Sequence, residues 1–407
     1  MPKQNILTGI RVLDLSQAYS GPYGSQILGD LGAEVIKIET PRIGDSSRVM
    51  TPQLSEGQSY TMLALNRNKK GVTLNLRTKT GKEAFNTLVK KSDVVWGNLR
   101  HGVMERIGAD YDSVSKINPR IIFCNITGYG TSGPYVRYPS YDDNIQALSG
   151  ILSLCGLSGG KPVRSPVAIA DLAGGLFAVI GVTTALYQRE QTGKGCKIDL
   201  NLVGCCLSLL GTHFQSYFLS GNLPKPAGSH HPIGGISGVF RTRKGFIVLG
   251  PCWPRITRVI NREYLMDDPR FSTYEKRFEN KDELNEAIEE GLLQADAEHW
   301  LELMRAEDIP ASPLNSLDKV IEDAQIMHNE AVVDINHPAY GKMKAIDLPI
   351  KITGATIEEH SPPPTLGQDT DHVLTEHLGY STEKITELRQ EEKEAADELE
   401  KHVRHLF

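Results

Sequence analysis

With 407 residues, of which 40% are hydrophobic, the chain is long enough for two domains with a substantial core, and its composition is typical of a globular protein. The formal net charge of -6 gives no general attraction to nucleic acid or to an anionic membrane, so an anionic ligand would need a local basic patch. The sequence contains no run of about 18 apolar residues and no recognisable signal peptide, and we therefore expect a cytoplasmic protein without a membrane span.

The cysteines and histidines show no pattern typical of disulfides or metal sites. The six cysteines include no CxxC pair, and most lie in apolar segments, where a buried thiol is the usual state. The twelve histidines include no HExxH motif and no companion carboxylate at the spacing of metal ligands. We therefore expect neither disulfides nor a metal site.

The N-terminal segment predicts a βαβ unit. Residues 10–15 are typical of a strand, 16–24 of a loop, 25–31 of a helix and 34–39 of a second, parallel strand. A dinucleotide-binding fold begins in the same way and places an acid near Glu39, so NAD binding is a competing hypothesis. However, Gly21-Pro22-Tyr23-Gly24 is not GxGxxG, and Pro22 lacks the N–H that a phosphate-binding turn would use. Both departures weaken the dinucleotide hypothesis.

Polar, basic and glycine-rich loops recur between the next predicted elements. One is a turn ahead of a strand at 72–76, one follows a strand at 94–96, and one follows an apolar strand at 121–126. They contain Asn66, Asn68, Lys69, Asn98, Arg100, Arg106, Gly128 and Tyr129. Ligands of open parallel sheets bind at the carboxyl ends of strands, so these loops would converge on one anion, although any single loop could be ordinary solvated surface. No Walker A motif is present, and we expect no nucleotide-triphosphate chemistry.

Asp171 precedes a long helical pattern that covers residues 172–190, and we expect the helix to begin at Asp171. Asp is a favoured N-cap, so capping alone is one interpretation. The other uses the same physics: the positive helix end would hold the carboxylate ionised, and Gly174 and Gly175 would leave little bulk around it. An ionised, accessible carboxylate is a possible nucleophile toward an activated acyl group.

The composition changes near residue 222, which predicts a domain boundary. We expect a large domain over residues 1–222, a smaller α+β domain over 223–320, and a return to the large domain with a charged helical tail over 321–407. Gly234 and Gly235 precede two predicted strands of the small domain, and a glycine loop of this kind can close over a site. The sequence thus predicts an α/β fold with two domains.

These motifs, taken together in their order, are similar to those of one enzyme family. They run from GIRVLDLSQAYSGPYGSQILGDLGAEVIKIE through LNRNKKGVTLNL, NLR, ITGYGTSGP and ADLAGG to PPPTLGQDTDHVLTEHLGYS. The chain resembles the class III coenzyme A transferases, the carnitine and formate/oxalate CoA-transferase family that also contains α-methylacyl-CoA racemase. The resemblance implies a Rossmann-like large domain with a parallel sheet, a smaller α+β domain, and two ring-like chains interlocked as a homodimer or as a heteromer with a homologous subunit.

The resemblance also implies roles for individual residues. Asp171 would be the nucleophile, attacking the acyl-CoA donor to give a mixed anhydride and then an aspartyl-CoA thioester that passes CoA to a second carboxylic acid. Gly234 and Gly235 would form the loop that covers it, and CoA would be a substrate, with no permanently bound cofactor. CoA contacts are implied for Tyr19, Ser20, Asn66, Asn68, Lys69, Asn98, Arg100, Arg106, Gly128 and Tyr129. Where relatives often have an arginine this chain has Thr40, so that phosphate contact would fall to Arg42 or be absent.

Two other functions remain open at this point. An acyl-CoA racemase on the same fold needs a base on each face of the α-carbon, and the family's racemases carry a histidine where this chain has Tyr141, a poor base at neutral pH. A non-catalytic acyl-CoA-binding protein would not need Asp171.

The sequence names neither the donor acid nor the acceptor acid of a CoA transfer. His230, His231, Arg241 and Arg243 could favour a dicarboxylate, or could be a solvated rim.

Overall fold

A computed structural model describes residues 5–55, 57–157, 159–231, 236–355 and 360–404, with side chains described up to residue 395. The chain forms two compact units. The first comprises Met1–Ser149, Pro166–Gly211 and Glu330–Phe407, and the second comprises Gly150–Ser165 and Thr212–Asn329. The domain limits drawn from the sequence, after residues 222 and 320, stay predictions.

The helices and strands follow one another in the order typical of an α/β protein. Up to residue 220 they are β1 Arg11–Asp14, α1 Ser20–Asp30, β2 Glu34–Glu39, β3 Gln53–Ser55, β4 Gln58–Ser59, α2 Tyr60–Leu65, β5 Lys69–Thr73, α3 Lys79–Lys90, β6 Val94–Gly97, α4 Val103–Ile107, α5 Tyr111–Ile117, β7 Ile122–Thr127, α6 Asp142–Ser149, α7 Ile151–Leu154, α8 Ile169–Thr192, β8 Lys197–Asn201, α9 Leu202–Leu209 and α10 Gly211–Ser220. The rest are β9 Gly238–Arg241, β10 Phe246–Leu249, α11 Arg255–Val259, α12 Tyr274–Glu279, α13 Lys281–Leu292, α14 Ala297–Ala306, β11 Ala311–Pro313, α15 Leu317–Val320, α16 Ala324–His328, β12 Val332–His337, β13 Gly341–Ile346, α17 Thr370–Leu378 and α18 Thr382–Arg404.

The first unit is built on a six-stranded sheet in the order β5-β2-β1-β6-β7-β8. Every neighbouring pair in this sheet is parallel. Strands β1, β2, β6 and β7 are almost entirely buried, as expected where helices cover both faces. The predicted α/β fold with a parallel sheet is therefore confirmed. The strand order reverses between β1 and β6, and ligands of such sheets bind in the crevice at that switch point.

Two element boundaries differ from the sequence-based prediction near that switch point. Gly21-Pro22-Tyr23-Gly24 lies within helix α1, not in a loop, because proline is tolerated in the first helical turn, where N–H groups have no helical partner. Strand β5 begins at Lys69, three residues earlier than expected from the apolar alternation. Lys69 can occupy a buried strand position because its ammonium group has an internal carboxylate partner, Asp14.

Helix α8 begins at Ile169, so the prediction that Asp171 starts the helix is wrong by two residues. Its glycines serve close packing: a Cβ on Gly175 would lie 2.7 Å from the carbonyl oxygen of Ser20, and one on Gly174 would lie 2.3 Å from Leu202. The backbones of α8 and α1 are therefore almost in direct contact.

Judged by length and composition alone, α8 is the one helix of the described ranges that could cross a membrane. Helices α9 and α10 are long and apolar enough only if the bent pair is counted as one span.

The second unit has its own small core. Strands β9, β10 and β11 form an antiparallel sheet, which confirms the two strands predicted near residues 239–241 and 245–249. Buried side chains of β9, β10, α11, α13 and α14 pack together, with Phe240, Ile247, Ile288 and Met304 almost fully enclosed. Gly234 and Gly235, the predicted lid glycines, lie outside the described residues.

Candidate active site

The loops that follow β1 and β6 meet at the switch point of the sheet. The side-chain amide of Asn98 donates to the carbonyl oxygen of Gln17 at 2.7 Å and to Ser20 Oγ at 3.1 Å. Its amide oxygen accepts from the backbone N–H of Gln17 at 2.8 Å. Three hydrogen bonds thus join the two loops, and two of the predicted CoA-binding residues, Ser20 and Asn98, are brought together.

Asp171 lies in the first turn of α8 beside the same loops. The Ser20 hydroxyl donates a hydrogen bond to its carboxylate, and Gly175, one turn further along α8, contacts the Ser20 backbone. Asp171 is not the N-cap: that position is Ala168, whose side chain makes no capping bond. The structure therefore contradicts the capping interpretation, and the Asp171 carboxyl group does not cap its own helix.

The electrostatic surroundings of Asp171 also differ from expectation. Burial, together with the nearby negative charge of Asp142, raises the pKa of Asp171 to about 7, while the hydrogen bond from Ser20 opposes the shift. The expectation that the helix end keeps this carboxylate fully ionised is therefore wrong, because desolvation and a like charge outweigh the favourable bond. A carboxyl group that changes charge near neutral pH is a candidate functional group.

Lys69 and Asn66 are brought together, but away from solvent. Lys69 Nζ lies 2.9 Å from Asn66 Oδ1, 3.0 Å from the carbonyl oxygen of Pro22 and 3.2 Å from Asp14 Oδ2. Both side chains are at most 4% exposed. Three acceptors use the three donors of the ammonium group. In this structure Lys69 therefore has no donor left for a phosphate, and the direct CoA contact implied by the resemblance does not fit it.

Asn68 is likewise occupied by internal partners. Its amide nitrogen donates to Asp30 Oδ1 at 2.8 Å and lies 2.9 Å from His360 Nδ1. Its oxygen accepts from the backbone N–H of Ser361 at 2.7 Å. Asn68 takes a positive φ of 59°, a conformation that asparagine tolerates better than most residues. Its visible role is to tie the C-terminal segment to the sheet.

The remaining predicted residues are accessible at the same end of the sheet. Arg100 and Arg106 are exposed, and neither guanidinium contacts a carboxylate within the described part of the chain. Arg100 borders a cavity of about 100 Å³ that also includes Asn125 and Thr127 from the end of β7. Tyr19 Oη lies 3.3 Å from Thr61 Oγ1. Gly128 and Tyr129 are half-buried just beyond β7, and Thr40 and Arg42 are exposed beyond β2.

A buried network of charges, which sequence reasoning missed, supports the loop between β1 and α1. Asp14 Oδ2 accepts from Ser25 Oγ at 2.6 Å as well as from Lys69. Lys37 Nζ donates to Asp45 at 2.7 Å and to the carbonyl oxygen of Ser16 at 3.0 Å. Asp45 in turn accepts from the backbone N–H of Ala18, in the middle of the loop. Buried ion pairs and their hydrogen bonds therefore help to fix the loop that leads into Ser20.

The described residues contain no metal-binding cluster, and a cavity larger than the one beside Arg100 lies in the second unit. Among the residues described, no group of three or more His, Cys, Asp or Glu side chains is placed to hold a metal ion. All six cysteines are free thiols. A cavity of about 560 Å³ occurs in the second unit, between the 222–230 segment and helices α10, α12 and α13, and Asp171 does not line it.

Taken with the sheet topology, the geometry defines an α/β enzyme whose crevice can hold an anionic substrate next to a carboxyl group of unusual pKa. The particular family follows from comparison with known proteins. The family model described as CoA-transferase family III matches residues 7–370, and the chain belongs to this family. The predicted family is thereby confirmed, and the protein is a class III CoA-transferase.

Individual relatives agree with this assignment. The chain is 36% identical over 386 residues to the succinyl-CoA:glutarate CoA-transferase of Mus musculus, covering 94% of this chain and 88% of that protein. It is 32% identical over 403 residues to the formyl-CoA:oxalate CoA-transferase of Streptomyces avermitilis, covering 94% and 98%. Among solved structures, a CaiB/BaiF family protein from Brucella suis superimposes with a TM-score of 0.83 at 31% identity, covering 92% of this chain and all of that one.

Proposed function

We propose that this protein moves coenzyme A from an acyl-CoA donor to an acceptor carboxylic acid, with Asp171 as the covalent nucleophile. The observation that carries the proposal is the placement of Asp171: a half-buried carboxyl group in the first turn of α8, hydrogen-bonded by Ser20 at the switch point of the sheet. Arg100 and Arg106, which follow β6 at the same switch point, are exposed and would meet the phosphates of CoA.

The proposed chemistry exchanges one activated carboxyl group for another. A carboxylate oxygen of Asp171 attacks the thioester carbonyl of the donor, the C–S bond breaks, and CoA leaves as a thiolate. The thiolate then attacks the aspartyl carbonyl, which breaks the anhydride and releases the donor acid as a carboxylate. The acceptor carboxylate attacks the aspartyl thioester in the same way, and the returning thiolate frees Asp171. No net proton or electron is needed, since each step replaces one leaving group by another.

This chemistry predicts a rising acid limb in the pH profile. Only the ionised form of Asp171 is a nucleophile, and burial beside Asp142 raises its pKa to about 7 in the free enzyme. We therefore expect kcat/KM to increase as the pH rises through about 7, because kcat/KM reports ionisation of the free enzyme. A profile that is flat from pH 5 to pH 8 would contradict a single essential carboxylate with this pKa.

We propose dicarboxylic acids as the substrate class. The mouse relative is named for succinyl-CoA and glutarate, and the Streptomyces relative for formyl-CoA and oxalate, so each name includes at least one dicarboxylic acid. Arg241 and Arg243, which the sequence offered as possible readers of a second carboxylate, are each ion-paired at 2.8 Å, with Glu289 and Asp296 respectively. A panel that compares succinate, glutarate and oxalate with acetate and propionate as CoA acceptors tests the class. Equal rates with the monocarboxylic acids would contradict it.

Trapping of the covalent intermediate tests the proposed role of Asp171 directly. The protein is incubated with an acyl-CoA donor and then with hydroxylamine or borohydride, which react with an anhydride or thioester but not with a free carboxylate. Mass spectrometry should find the modification on the peptide that contains Asp171. The Asp171→Asn variant and a sample without donor are the controls. Labelling of the variant to the same extent would remove Asp171 from the mechanism.

The racemase alternative finds little support around Tyr141. This residue stands where the racemases carry a histidine base, it is 68% exposed, and a phenol is a poor base at neutral pH. We expect no deuterium at the α-carbon when a 2-methylacyl-CoA is incubated with the protein in D₂O. Exchange at a rate comparable with CoA transfer would show that the protein is a racemase.

We further propose that the working form is the interlocked homodimer implied by the family resemblance. Large apolar side chains on α8 are exposed, among them Leu176, Ile180 and Tyr187, and Phe218 and Leu219 of α10 are at least 70% exposed. Exposed apolar groups of this size are typical of a surface that another chain covers. Light scattering after size-exclusion chromatography should give about twice the 44.9 kDa mass of one chain. A monomer at micromolar concentration would contradict the proposal.

A further inference from the structure

The N-terminus of α8 is closed by a carboxylate from another helix. Asp142, the first residue of α6, accepts with Oδ1 from the backbone N–H of Ala170 at 2.8 Å and from that of Asp171 at 3.2 Å. Its other oxygen accepts from the side-chain amide of Gln146. Asp142 is only 7% exposed. A fixed negative charge is therefore bonded to the backbone of the residue that carries the nucleophile.

Few charged groups other than Asp142 face the Asp171 carboxyl group. From α1 comes the hydroxyl of Ser20, and α9 contributes the buried thiol of Cys206, whose pKa is raised by burial and by both carboxylates despite a bond to Ser149. On β7 the titratable group is the buried thiol of Cys124, and on β8 the charged groups are Lys197 and Asp199, which pair with each other at 2.8 Å. Within the described residues, no cation is paired with either Asp142 or Asp171.

We infer that Asp142 is a positioning residue that holds the first turn of α8 and favours the covalent states of Asp171 over its free carboxylate. This inference rests on the proposed function. In the anhydride and in the aspartyl-CoA thioester, Asp171 is uncharged, because its negative charge has left with the thiolate or with the released acid. Repulsion between the two carboxylates therefore exists only in the free, ionised enzyme. The charge of Asp142 raises the free energy of the free, ionised enzyme and does not raise that of the two covalent states.

The Asp142→Asn substitution separates the charge from the hydrogen bonds. Its amide oxygen can still accept from the N–H groups of Ala170 and Asp171, so the end of α8 stays closed. Its amide nitrogen would face the amide nitrogen of Gln146, but Gln146 Oε1 is buried without a partner, and rotation of the Gln146 amide gives it one. The variant therefore removes one negative charge with little change in shape.

We expect two changes in Asp142→Asn. The acid limb of kcat/KM should move to lower pH by about one unit or more, because a like charge no longer opposes ionisation of Asp171. At a fixed ratio of acyl-CoA to free acid at pH 8, the fraction of enzyme carrying CoA on Asp171, read by intact mass after acid quenching, should fall about tenfold, since one pKa unit corresponds to a tenfold change in equilibrium. The position of the limb does not depend on how much protein is folded.

Two matched variants control for structure. Asp143→Asn removes the neighbouring exposed acid of α6 and should leave both readouts as in the wild type. Asp142→Glu keeps the charge and should keep the limb near its wild-type position even if the longer side chain lowers stability. If Asp142→Asn shows the wild-type limb and the wild-type covalent fraction, Asp142 is only a helix cap and the inference is wrong. If the wild type carries no label on Asp171 at all, the proposed function fails instead.

Discussion

Two aspartates of the first unit, the fully buried Asp14 and the half-buried Asp171, lie in opposite electrostatic surroundings. Although burial opposes the ionisation of Asp14, the ammonium groups of Lys69 and Lys37, together with the hydroxyls of Ser16 and Ser25, hold its pKa below the usual value. Asp171 has one hydroxyl and a second carboxylate nearby but no paired cation among the described residues, and its pKa rises to about 7. The comparison teaches that cationic partners keep the carboxyl group of Asp14 ionised, whereas Asp171 has no such partner and takes a pKa typical of functional groups.

The largest expected effect is the loss of CoA transfer when the carboxyl group of Asp171 is removed. Asp171→Asn should reduce CoA transfer by about three orders of magnitude or more, because an amide is a far poorer nucleophile than a carboxylate. Helix α8 should be intact, since Asp142 and not Asp171 accepts its first N–H bonds. Turnover is measured with mass analysis that excludes deamidation back to Asp. Near-wild-type turnover in a protein shown to be the amide would end the covalent proposal.

Removing Lys69, a cationic partner of Asp14, should lower the stability of the fold. Lys69→Met leaves Asp14 buried with one fewer cation, and breaking a buried ion pair typically costs about 3–5 kcal/mol of unfolding free energy. The neighbouring Lys70 is the matched control: its pair with Glu34 is partly exposed, so Lys70→Met should cost less than about 1 kcal/mol. Urea unfolding of both variants measures the difference. Equal losses would show that the Asp14 network does not stabilise the fold more than a surface pair.

The raised pKa of Asp171 should also make the unfolding free energy depend on pH. The folded-state pKa of Asp171, about 7, lies above its unfolded value of 3.8, so the folded protein retains a proton that the unfolded chain has lost between these values. The contribution of Asp171 to the unfolding free energy therefore falls as the pH rises from about 4 to about 7. The asparagine of the Asp171→Asn variant cannot ionise. The unfolding free energy of the variant minus that of the wild type should therefore grow by roughly 2–3 kcal/mol between pH 5 and pH 8. A constant difference across that range would mean that Asp171 has an ordinary pKa.

The smallest expected effect concerns CoA affinity. Charge-assisted bonds to phosphate are worth roughly 1.5–3 kcal/mol, so Arg106→Ala should weaken CoA binding about tenfold or more at low salt. Arg100 and Arg106 are exposed beyond β6, whereas Lys69 is internally bonded, and the comparison predicts that the arginines rather than Lys69 bind the phosphates. Calorimetry with CoA gives the dissociation constant. An unchanged value in the folded variant would remove Arg106 from the site.

Local sequence patterns were enough to predict the strands of the sheet, but they did not predict the distant partners of Asp171 and Lys69. The apolar strands at residues 34–39 and 94–97 are recognisable because a parallel sheet buries both faces, and the long apolar helix pointed to Asp171 near its start. The cap of that helix could not be found locally, because it comes from Asp142, 28 residues before Ala170. Lys69 was misjudged for a similar reason: a lysine in a polar turn is usually solvated, and only the folded chain shows that Asp14, 55 residues earlier, lies beside it.

The contact between α1 and α8 has a consequence for how the site can vary. Gly24 and Gly175 face each other so closely that a Cβ on Gly24 would lie 2.9 Å from the Gly175 carbonyl oxygen. The spacing between Ser20 and Asp171 is therefore fixed by a close approach of main chain to main chain, because a Cβ on Gly175 would also lie 2.7 Å from the carbonyl oxygen of Ser20. A larger residue at either glycine would push the two helices apart, and with them the Ser20 hydroxyl from the Asp171 carboxyl group.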